Sequence, residues 1–167
     1  MRTQGSRKAR DCLLIPRGLV IGQAGGTLRG MVRISIDYQG GLHCQVRHEP
    51  SGSTFQTDAP KDNQGKGESF SPTDLVATAL GSCMATTMAI VARRQGIELE
   101  GFSLTVDKEM TSEGPRKISR LTTHLHLPFA RTEELGALIE ATATGCPVYL
   151  SLGDSIEKPV HFHWSAA

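Results

Sequence analysis

The chain has 167 residues, of which 38% are hydrophobic and 21% are charged, a composition that suits a single globular domain. Its formal net charge of +1 does not favour nucleic acid or an anionic membrane as the main partner. No segment approaches the roughly 18 apolar residues of a membrane helix, and Pro16 stops the apolar run at residues 13–15 too early for a secretory signal. We therefore expect a cytoplasmic protein with neither a nucleic-acid nor a membrane partner.

The first 30 residues differ in composition from the rest of the chain. They carry six basic side chains against one acidic side chain and show no sustained apolar periodicity. We predict that residues 1–30 form a disordered N-terminal extension and that residues 31–167 form the folded domain.

Four cysteines lie far apart in the sequence, without CxxC or zinc-finger spacing. They are Cys12, Cys44, Cys83 and Cys146. In a reducing compartment such thiols are core residues or reactive groups rather than structural disulfides. Cys12 and Cys44 are interpreted as space-filling residues, whereas Cys83 and Cys146 lie in more informative surroundings.

Alternating apolar side chains predict an antiparallel meander at the start of the domain. The predicted strands cover residues 32–38, 42–47 and 54–57. Turns follow from QGG at residues 39–41 and PSG at residues 50–52. The polar, charged segment 58–70 is predicted to be a loop that leads into a helix and covers its site.

The longest helical pattern runs from Ser71 to Gly96 and carries Cys83 near its middle. Ser71 is the predicted N-cap, with Pro72 at the first helical position and Asp74 at the third. Two adjacent apolar rows at four-residue spacing indicate a core helix with Cys83 on its buried side. Because Cys83 lies 12 residues beyond Ser71, the helix dipole does not reach it.

The C-terminal half of the chain predicts a hairpin, a second helix and a last strand. The hairpin strands cover residues 102–110 and 121–127, and the last strand covers residues 160–164. The second helix begins after Thr132, its apolar face is predicted to close at Cys146, and Pro147 limits its continuation. The element order is therefore βββ-α-ββ-α-β, and the fold class is α+β, with two long core helices and antiparallel sheets.

Cys83 and Cys146 are predicted on the core-facing sides of the two long helices, where they are expected to meet. One interpretation is that both thiols simply fill the core. The other is that Cys83 is a nucleophile, which requires a thiolate although a free thiol has a pKa of about 8.5. An Arg about 4 Å away would supply on the order of 4 kcal/mol at an effective dielectric of 20, enough to lower the pKa of Cys83.

Two stretches resemble the cysteine motifs of the OsmC/Ohr family of osmotically inducible and organic hydroperoxide resistance proteins. They are SPTDLVATALGSCM around Cys83 and TGCPVYLSL around Cys146, and the resemblance extends over residues 31–164. It implies an intertwined homodimer with its sites at the subunit interface and no cofactor. It also implies that Cys83 attacks an organic hydroperoxide, that Cys146 resolves the sulfenic acid as a disulfide, and that an external dithiol restores both thiols.

The chain departs from that family at two positions. Ser71-Pro72-Thr73 stands where the family has Asn-Pro-Glu, and Leu42 follows the Gly-Gly turn where the family has Arg. We predict Arg47 and Glu68 as replacements, with Arg116 as a further candidate, although each is equally read as a solvated surface charge. The substrate is expected to contact apolar residues of the first helix, namely Leu75, Leu80, Met84 and Met88.

Two hypotheses follow from the residues and the resemblance. The first is a two-cysteine thiol peroxidase that reduces organic hydroperoxides. The second is a non-catalytic module of the same fold that senses redox state or binds a small molecule. The histidines of two HxH pairs, His124, His126, His161 and His163, are interpreted as a polar sheet face and not as a metal site.

Overall fold

The computed structural model describes residues 31–165. It contains β1 (Ile34–Gly40), β2 (His43–His48), β3 (Thr54–Asp58), a 3-10 turn (Lys61–Asn63), α1 (Pro72–Arg94), β4 (Ser103–Met110), β5 (Ile118–Ala130), α2 (Glu133–Thr144), α3 (Pro147–Ser151) and β6 (Val160–Ser165). The predicted α+β class and element order are confirmed, and the short helix α3 is added before the last strand. The extension predicted for residues 1–30, which includes Cys12, lies outside the described residues.

The first sheet is the predicted antiparallel meander, in the order β1-β2-β3. Ile36 pairs with Val46, which in turn pairs with Phe55, so that these three side chains share one face. The chain turns from β1 to β2 through Gly40 and Gly41, both at positive φ, as the QGG sequence predicts. Ile36 and Phe55 on either side of buried Val46 remain exposed, so residues 31–165 leave part of this apolar face uncovered.

The second sheet has the order β4-β5-β6 and is mixed. Strands β4 and β5 form the predicted antiparallel hairpin, but β6 pairs with β5 in parallel. The expectation of antiparallel sheets is therefore wrong for β6. The physical reason is the connection, since the chain returns from β5 to β6 through α2 and α3, and such a crossover brings the next strand back in the same direction.

Helix α1 begins with a complete capping box. The Ser71 side chain accepts from the Asp74 N–H at 3.2 Å, while Asp74 Oδ2 accepts from the Ser71 N–H at 2.7 Å. Pro72 stands at the first helical position, as predicted. At the other end Gly96, at φ +75°, follows the cap residue Gln95.

Helix α1 is 23 residues long and, by length and composition alone, apolar enough to span a membrane. The sequence analysis missed this property because Thr, Ser and Gly interrupt its apolar residues. One side of the helix is nevertheless buried, with Leu80 and Met84 at 0% exposure and Met88 at 1%. They contribute to two core clusters against the second sheet, which is typical of the core helix of a globular domain.

Candidate active site

Cys83 lies midway along α1 and is half-buried. Its sulfur is 4.0 Å from the hydroxyl of Thr87, one helical turn further along the same face. Helical geometry places Cys83 at the edge of the buried side of α1, so that its thiol packs against the core and also reaches the surface. This position suits a thiol that must meet a solute and an internal partner.

Cys146 is fully buried, at 0% exposure, in the connection between α2 and α3. Helix α2 ends at Thr144, Gly145 is its C-cap, and Cys146 is the N-cap of α3 with Pro147 at the first helical position. Its sulfur accepts a hydrogen bond from the Tyr149 N–H at 3.4 Å. The prediction that Cys146 closes the face of α2 is therefore wrong. The Cys-Pro pair carried the correct signal, because Pro is favoured directly after an N-cap.

The two cysteines come together in one core cluster. Cys146 is a member of the cluster formed under α1, and Cys83 packs against that cluster. Burial, together with the nearby Cys83 side chain, raises the pKa of the Cys146 thiol, although the Tyr149 N–H opposes this effect. Both residues are free thiols. The structure therefore pairs a half-exposed thiol with a buried one that is held protonated.

The apolar residues predicted to contact substrate lie on the inner side of α1. Leu80 and Met84 belong to the cluster that contains Cys146, whereas Met88 belongs to the neighbouring cluster around Leu125. Leu75 is half-buried. The thiols therefore lie beside an apolar environment, although a solute reaches its fully buried members only if the packing opens.

The charged residues predicted to activate Cys83 are occupied elsewhere. Arg47 Nε lies 3.7 Å from Glu49 Oε2, and Arg116 donates to Asp62 Oδ2 at 2.8 Å. Glu68 contacts His43 at 3.3 Å rather than Arg47. Within residues 31–165, no hydrogen bond or ion pair joins a cationic side chain to Cys83.

Lys108 is a cation near α1 that the sequence analysis missed. Its Nζ donates to Asp74 Oδ1 at 2.6 Å and to the Thr73 hydroxyl at 2.8 Å, and its side chain is only 16% exposed. Burial opposes ionisation of Asp74, but the hydrogen bonds from Lys108 and Ser71 prevail and hold the pKa of Asp74 below its usual value. The position at which the family has Glu is thus occupied by Thr73, which contacts a lysine.

A second cluster, His43 with Asp58 and Glu68, was also missed. His43 and Asp58 are paired across β2 and β3, and Glu68 reaches them from the loop before α1. The alternation of β2 predicts that His43 and Arg47 share a face, but no local pattern predicts that residue 68 folds back onto residue 58.

The four histidines lie together on the outward face of the second sheet. The parallel pairing aligns His124 with His161 and His126 with His163. The rings stack with centroids 4.9–5.2 Å apart, and His124 Nδ1 lies 2.9 Å from His163 Nε2. Desolvation, and then the neighbouring imidazoles, lower the pKa of His163. Stacked rings of this kind form the polar face that the alternation predicts.

A family model described as OsmC-like protein matches residues 65–158, a range that includes both cysteine motifs and all elements from α1 to α3. The chain belongs to the OsmC-like family. A solved structure from Psychrobacter arcticus 273-4, named for an osmotic stress induced and detoxification response, is 38% identical with a TM-score of 0.75. The match covers 81% of this chain and 98% of that one.

Two more distant structures share the fold. The organic hydroperoxide resistance protein OsmC from Legionella pneumophila is 21% identical with a TM-score of 0.67, over 82% of this chain and 99% of that one. A Vibrio cholerae protein named for organic hydroperoxide resistance holds captopril in one of its active sites. It is 18% identical with a TM-score of 0.64, over 85% of this chain and 99% of that one. No curated protein sequence matches the chain.

Proposed function

We propose that this protein is a two-cysteine thiol peroxidase that reduces organic hydroperoxides. The observation that carries the proposal is the proximity of half-buried Cys83 to fully buried Cys146, against whose core cluster Cys83 packs. Membership of the OsmC-like family, some of whose relatives are named for organic hydroperoxide resistance, supports it. The difference in burial supports the division of roles, because Cys83 is half-buried whereas Cys146 is fully buried.

In the first step the Cys83 thiolate attacks the terminal oxygen of the hydroperoxide. The O–O bond breaks, the oxygen is transferred to sulfur, and the alkoxide leaves as an alcohol after taking up a proton. Cys83 becomes a sulfenic acid and is thereby oxidised by two electrons. Leu80 and Met84 share the cluster of the two thiols, and such apolar side chains favour an alkyl hydroperoxide over hydrogen peroxide. Leu75 and Met88, further along the same helix, are proposed to extend the substrate contact.

In the second step Cys146 attacks the Cys83 sulfur, water leaves, and a Cys83–Cys146 disulfide forms. Burial still raises the pKa of Cys146 at this stage, but the sulfenic acid of Cys83 carries no charge, so that the electrostatic part of its effect on that pKa is removed. The hydrogen bond from the Tyr149 N–H then stabilises the Cys146 thiolate. Oxidation of the first cysteine thus prepares the second for attack.

An external dithiol closes the cycle by two thiol–disulfide exchanges. The dithiol becomes a disulfide, and Cys83 and Cys146 regain their thiols. No metal or organic cofactor is needed for this electron balance. Because the cycle depends on a supply of reduced dithiol, we assign the protein to the cytoplasm.

The cation that holds the Cys83 thiolate is assigned to Arg47, with Glu68 as the acid that orients it and Arg116 as the other candidate. In the single chain both arginines pair with exposed carboxylates, which are weak partners. Such pairs are readily exchanged when another surface approaches. The loop that carries Glu68 leads directly into α1, which places it in the segment that precedes the reactive cysteine.

The active form is proposed to be a homodimer. Ile34, Ile36, Tyr38 and Phe55 are exposed on the first sheet, although such side chains are normally covered. A second copy that covers this face would bury it and would exclude water from a neighbouring thiol site. A two-fold arrangement also lets each copy cover the same surface of the other.

The test is consumption of cumene hydroperoxide by the reduced protein in the presence of a lipoyl dithiol. We expect turnover in the native protein and none in Cys83→Ser. A matched variant, Cys44→Ser, removes a half-buried thiol from strand β2 and should leave turnover intact. Absence of turnover in the native protein, or turnover that survives Cys83→Ser, would refute the proposal.

The alternative is a redox-sensing or small-molecule-binding module of the same fold. One observation favours it, namely that no described cation contacts Cys83. A sensor would oxidise without cycling. The two functions are distinguished by the time that dithiol takes to reduce the oxidised protein. We expect seconds for a peroxidase and a far longer time for a sensor or for overoxidised Cys83.

A further inference from the structure

Three potential metal ligands converge where β2 and β3 meet the loop before α1. His43 Nε2 lies 3.3 Å from Glu68 Oε2 and 3.6 Å from Asp58 Oδ1. The three ligand atoms all lie within 4.8 Å of one another. Ligands bonded to a tetrahedral zinc ion at 2.0–2.2 Å are separated by about 3.3–3.6 Å, so the two shorter separations already suit a shared ion.

Asp58 supplies the observation that points to a missing partner. Its side chain is fully buried, and Oδ2 accepts from the Glu68 N–H at 2.9 Å. Its other oxygen, Oδ1, is buried and has no hydrogen-bond partner among residues 31–165. A buried carboxylate oxygen without a partner is costly, and it faces His43 within the cluster. An ion bound between these groups would satisfy it.

The Asp58 carboxylate lies among several backbone N–H groups. The Glu68 N–H is the largest influence, and it prevails over burial, with His43 and the N–H groups of Ala59 and Gly67 also contributing. The pKa of Asp58 consequently lies below its usual value.

The loop is built to bring Glu68 back to Asp58. A Cβ on Gly65 would lie 1.7 Å from the Ala59 carbonyl oxygen, so this close backbone approach requires glycine. The Gly67 N–H donates to the same carbonyl at 3.2 Å, and Gly67 adopts a positive φ of 66°. The fold thus fixes the backbone of Glu68 while its side chain remains 59% exposed and free to adjust.

We propose that His43, Asp58 and Glu68 bind a divalent first-row transition metal, with zinc as the best match. One imidazole nitrogen and two carboxylate oxygens are ligands that zinc accepts, and water completes the tetrahedron. A rotation of the exposed Glu68 side chain suffices to close the third ligand–ligand distance. The ion ties the segment before α1 to the end of the first sheet.

A metal-free arrangement is the competing explanation for the cluster. A protonated His43 would lie between two carboxylates, with Lys66 also near Glu68 at 3.8 Å. That arrangement leaves Asp58 Oδ1 at 3.6 Å from the imidazole, which is beyond a good hydrogen bond. The metal accounts for both the convergence and the orphaned oxygen.

The test is titration of the untagged, reduced, full-length chain with Co²⁺, followed by visible absorption and calorimetry, with Zn²⁺ as competitor. We expect one Co²⁺ per chain, displaced by Zn²⁺ and showing no thiolate charge-transfer band. His43→Gln and Glu68→Gln should each weaken binding by at least about tenfold. Zn²⁺ at a hundredfold excess over its Kd should raise the Tm by about 5–10 °C in the native chain.

Two control variants locate the ion. His48 lies on the same strand as His43 but outside the cluster, and it contacts Ser51. The variant His48→Gln should therefore bind Co²⁺ as the native chain does. The double variant His161→Gln/His163→Gln removes half of the outward histidine face and should also retain binding. The proposal is overturned if the native chain binds no Co²⁺, if His43→Gln binds it normally, or if only the double variant loses it.

Glu68 was assigned above to orient Arg47, and the two roles are separable in Glu68→Gln. Loss of Co²⁺ binding supports the metal site whatever happens to peroxide turnover. Unchanged Co²⁺ binding with reduced turnover would overturn the metal site and leave the peroxidase proposal intact. Asp58 is not used as the first variant because replacement of a buried, hydrogen-bonded carboxylate risks unfolding the sheet.

Discussion

Asp74→Asn is predicted to destabilise the helix that carries Cys83. Asp74 completes the capping box with Ser71 and also accepts from Lys108 at 2.6 Å. The substitution keeps the size of the side chain but removes its charge. An amide has one acceptor oxygen where the carboxylate has two, so Asn can accept from the Ser71 N–H or from Lys108 but not from both, and it cannot form the ion pair with Lys108, which is only 16% exposed.

The magnitude follows from two contributions. Loss of a helix-capping interaction costs about 0.5–2 kcal/mol. Loss of the ion pair adds about 1 kcal/mol or less, because the Asp74 side chain is 39% exposed and solvent screens the attraction. We expect the free energy of unfolding to fall by about 1–3 kcal/mol and the Tm by about 4–10 °C.

The effect should depend on pH in a defined direction. The pKa of Asp74 in the folded chain lies below its usual value, so its ionised form stabilises the fold. That stabilisation is complete above the pKa of the unfolded chain and is lost as the pH falls through the folded-state pKa. The difference between native and Asp74→Asn should therefore be full at neutral pH and should shrink below about pH 4.

The assay is urea denaturation followed by circular dichroism at fixed protein concentration, because association would shift the midpoint. Asp107→Asn is the matched control, since Asp107 neighbours Lys108 on β4 but is 73% exposed and should change stability by less than about 0.5 kcal/mol. The proposed role of Asp74 is refuted if Asp74→Asn lowers the free energy of unfolding no more than this control does, or if the loss of stability does not diminish in acid.

Three further predictions concern the thiols, the loop and the exposed sheet. Cys146→Ser should consume one equivalent of alkyl hydroperoxide and stop at the Cys83 sulfenic acid, without dithiol-dependent turnover through a Cys83–Cys146 disulfide, and a second equivalent should oxidise Cys83 to sulfinic acid. Gly65→Ala should cost about 1–3 kcal/mol or more, because its Cβ would lie 1.7 Å from the Ala59 carbonyl oxygen. Ile36→Lys should convert the proposed homodimer to monomer in light scattering, because Ile36 is 63% exposed on the uncovered face.

Each of these predictions has a contrary outcome. Steady turnover in Cys146→Ser would remove the resolving role from that residue. For the loop, Gly153→Ala is the control because a Cβ there meets nothing within 4 Å. Equal stability of the two glycine variants would contradict the close approach. For the sheet, the control is Asp37→Lys, because Asp37 lies on the face opposite to Ile36. If Asp37→Lys dissociates the dimer as readily as Ile36→Lys does, the apolar face of the first sheet is not the dimer interface.

Local signals in the sequence predicted much of the fold because they act over a few residues. Ser71 with Pro72 predicted the start of α1, and the alternation of apolar and polar side chains predicted the strands of both sheets. The same reasoning placed Cys83 on the inner side of its helix. It misplaced Cys146 because the periodic apolar spacing was extended past Gly145, where the Cys-Pro pair already starts another helix.

The features that could not be predicted depend on contacts between distant parts of the chain. Lys108 is 34 residues from Asp74, and no periodic pattern links a strand residue to a helix cap. Glu68 meets His43 only because the glycine loop folds back. The direction of β6 depends on the path of α2 and α3, which sequence periodicity does not encode. Arg47 was favoured for its type and position, and it pairs with Glu49 in the chain.

We propose above that Cys83 is the peroxidatic cysteine and that Cys146 resolves it. Its most direct measurement is peptide mass spectrometry of the reduced protein after one equivalent of an alkyl hydroperoxide, before and after addition of a lipoyl dithiol. We predict a Cys83–Cys146 disulfide that the dithiol reduces within seconds and that does not form in Cys83→Ser. Oxidation confined to Cys83 without a disulfide, or a disulfide that joins Cys44 instead, would contradict it.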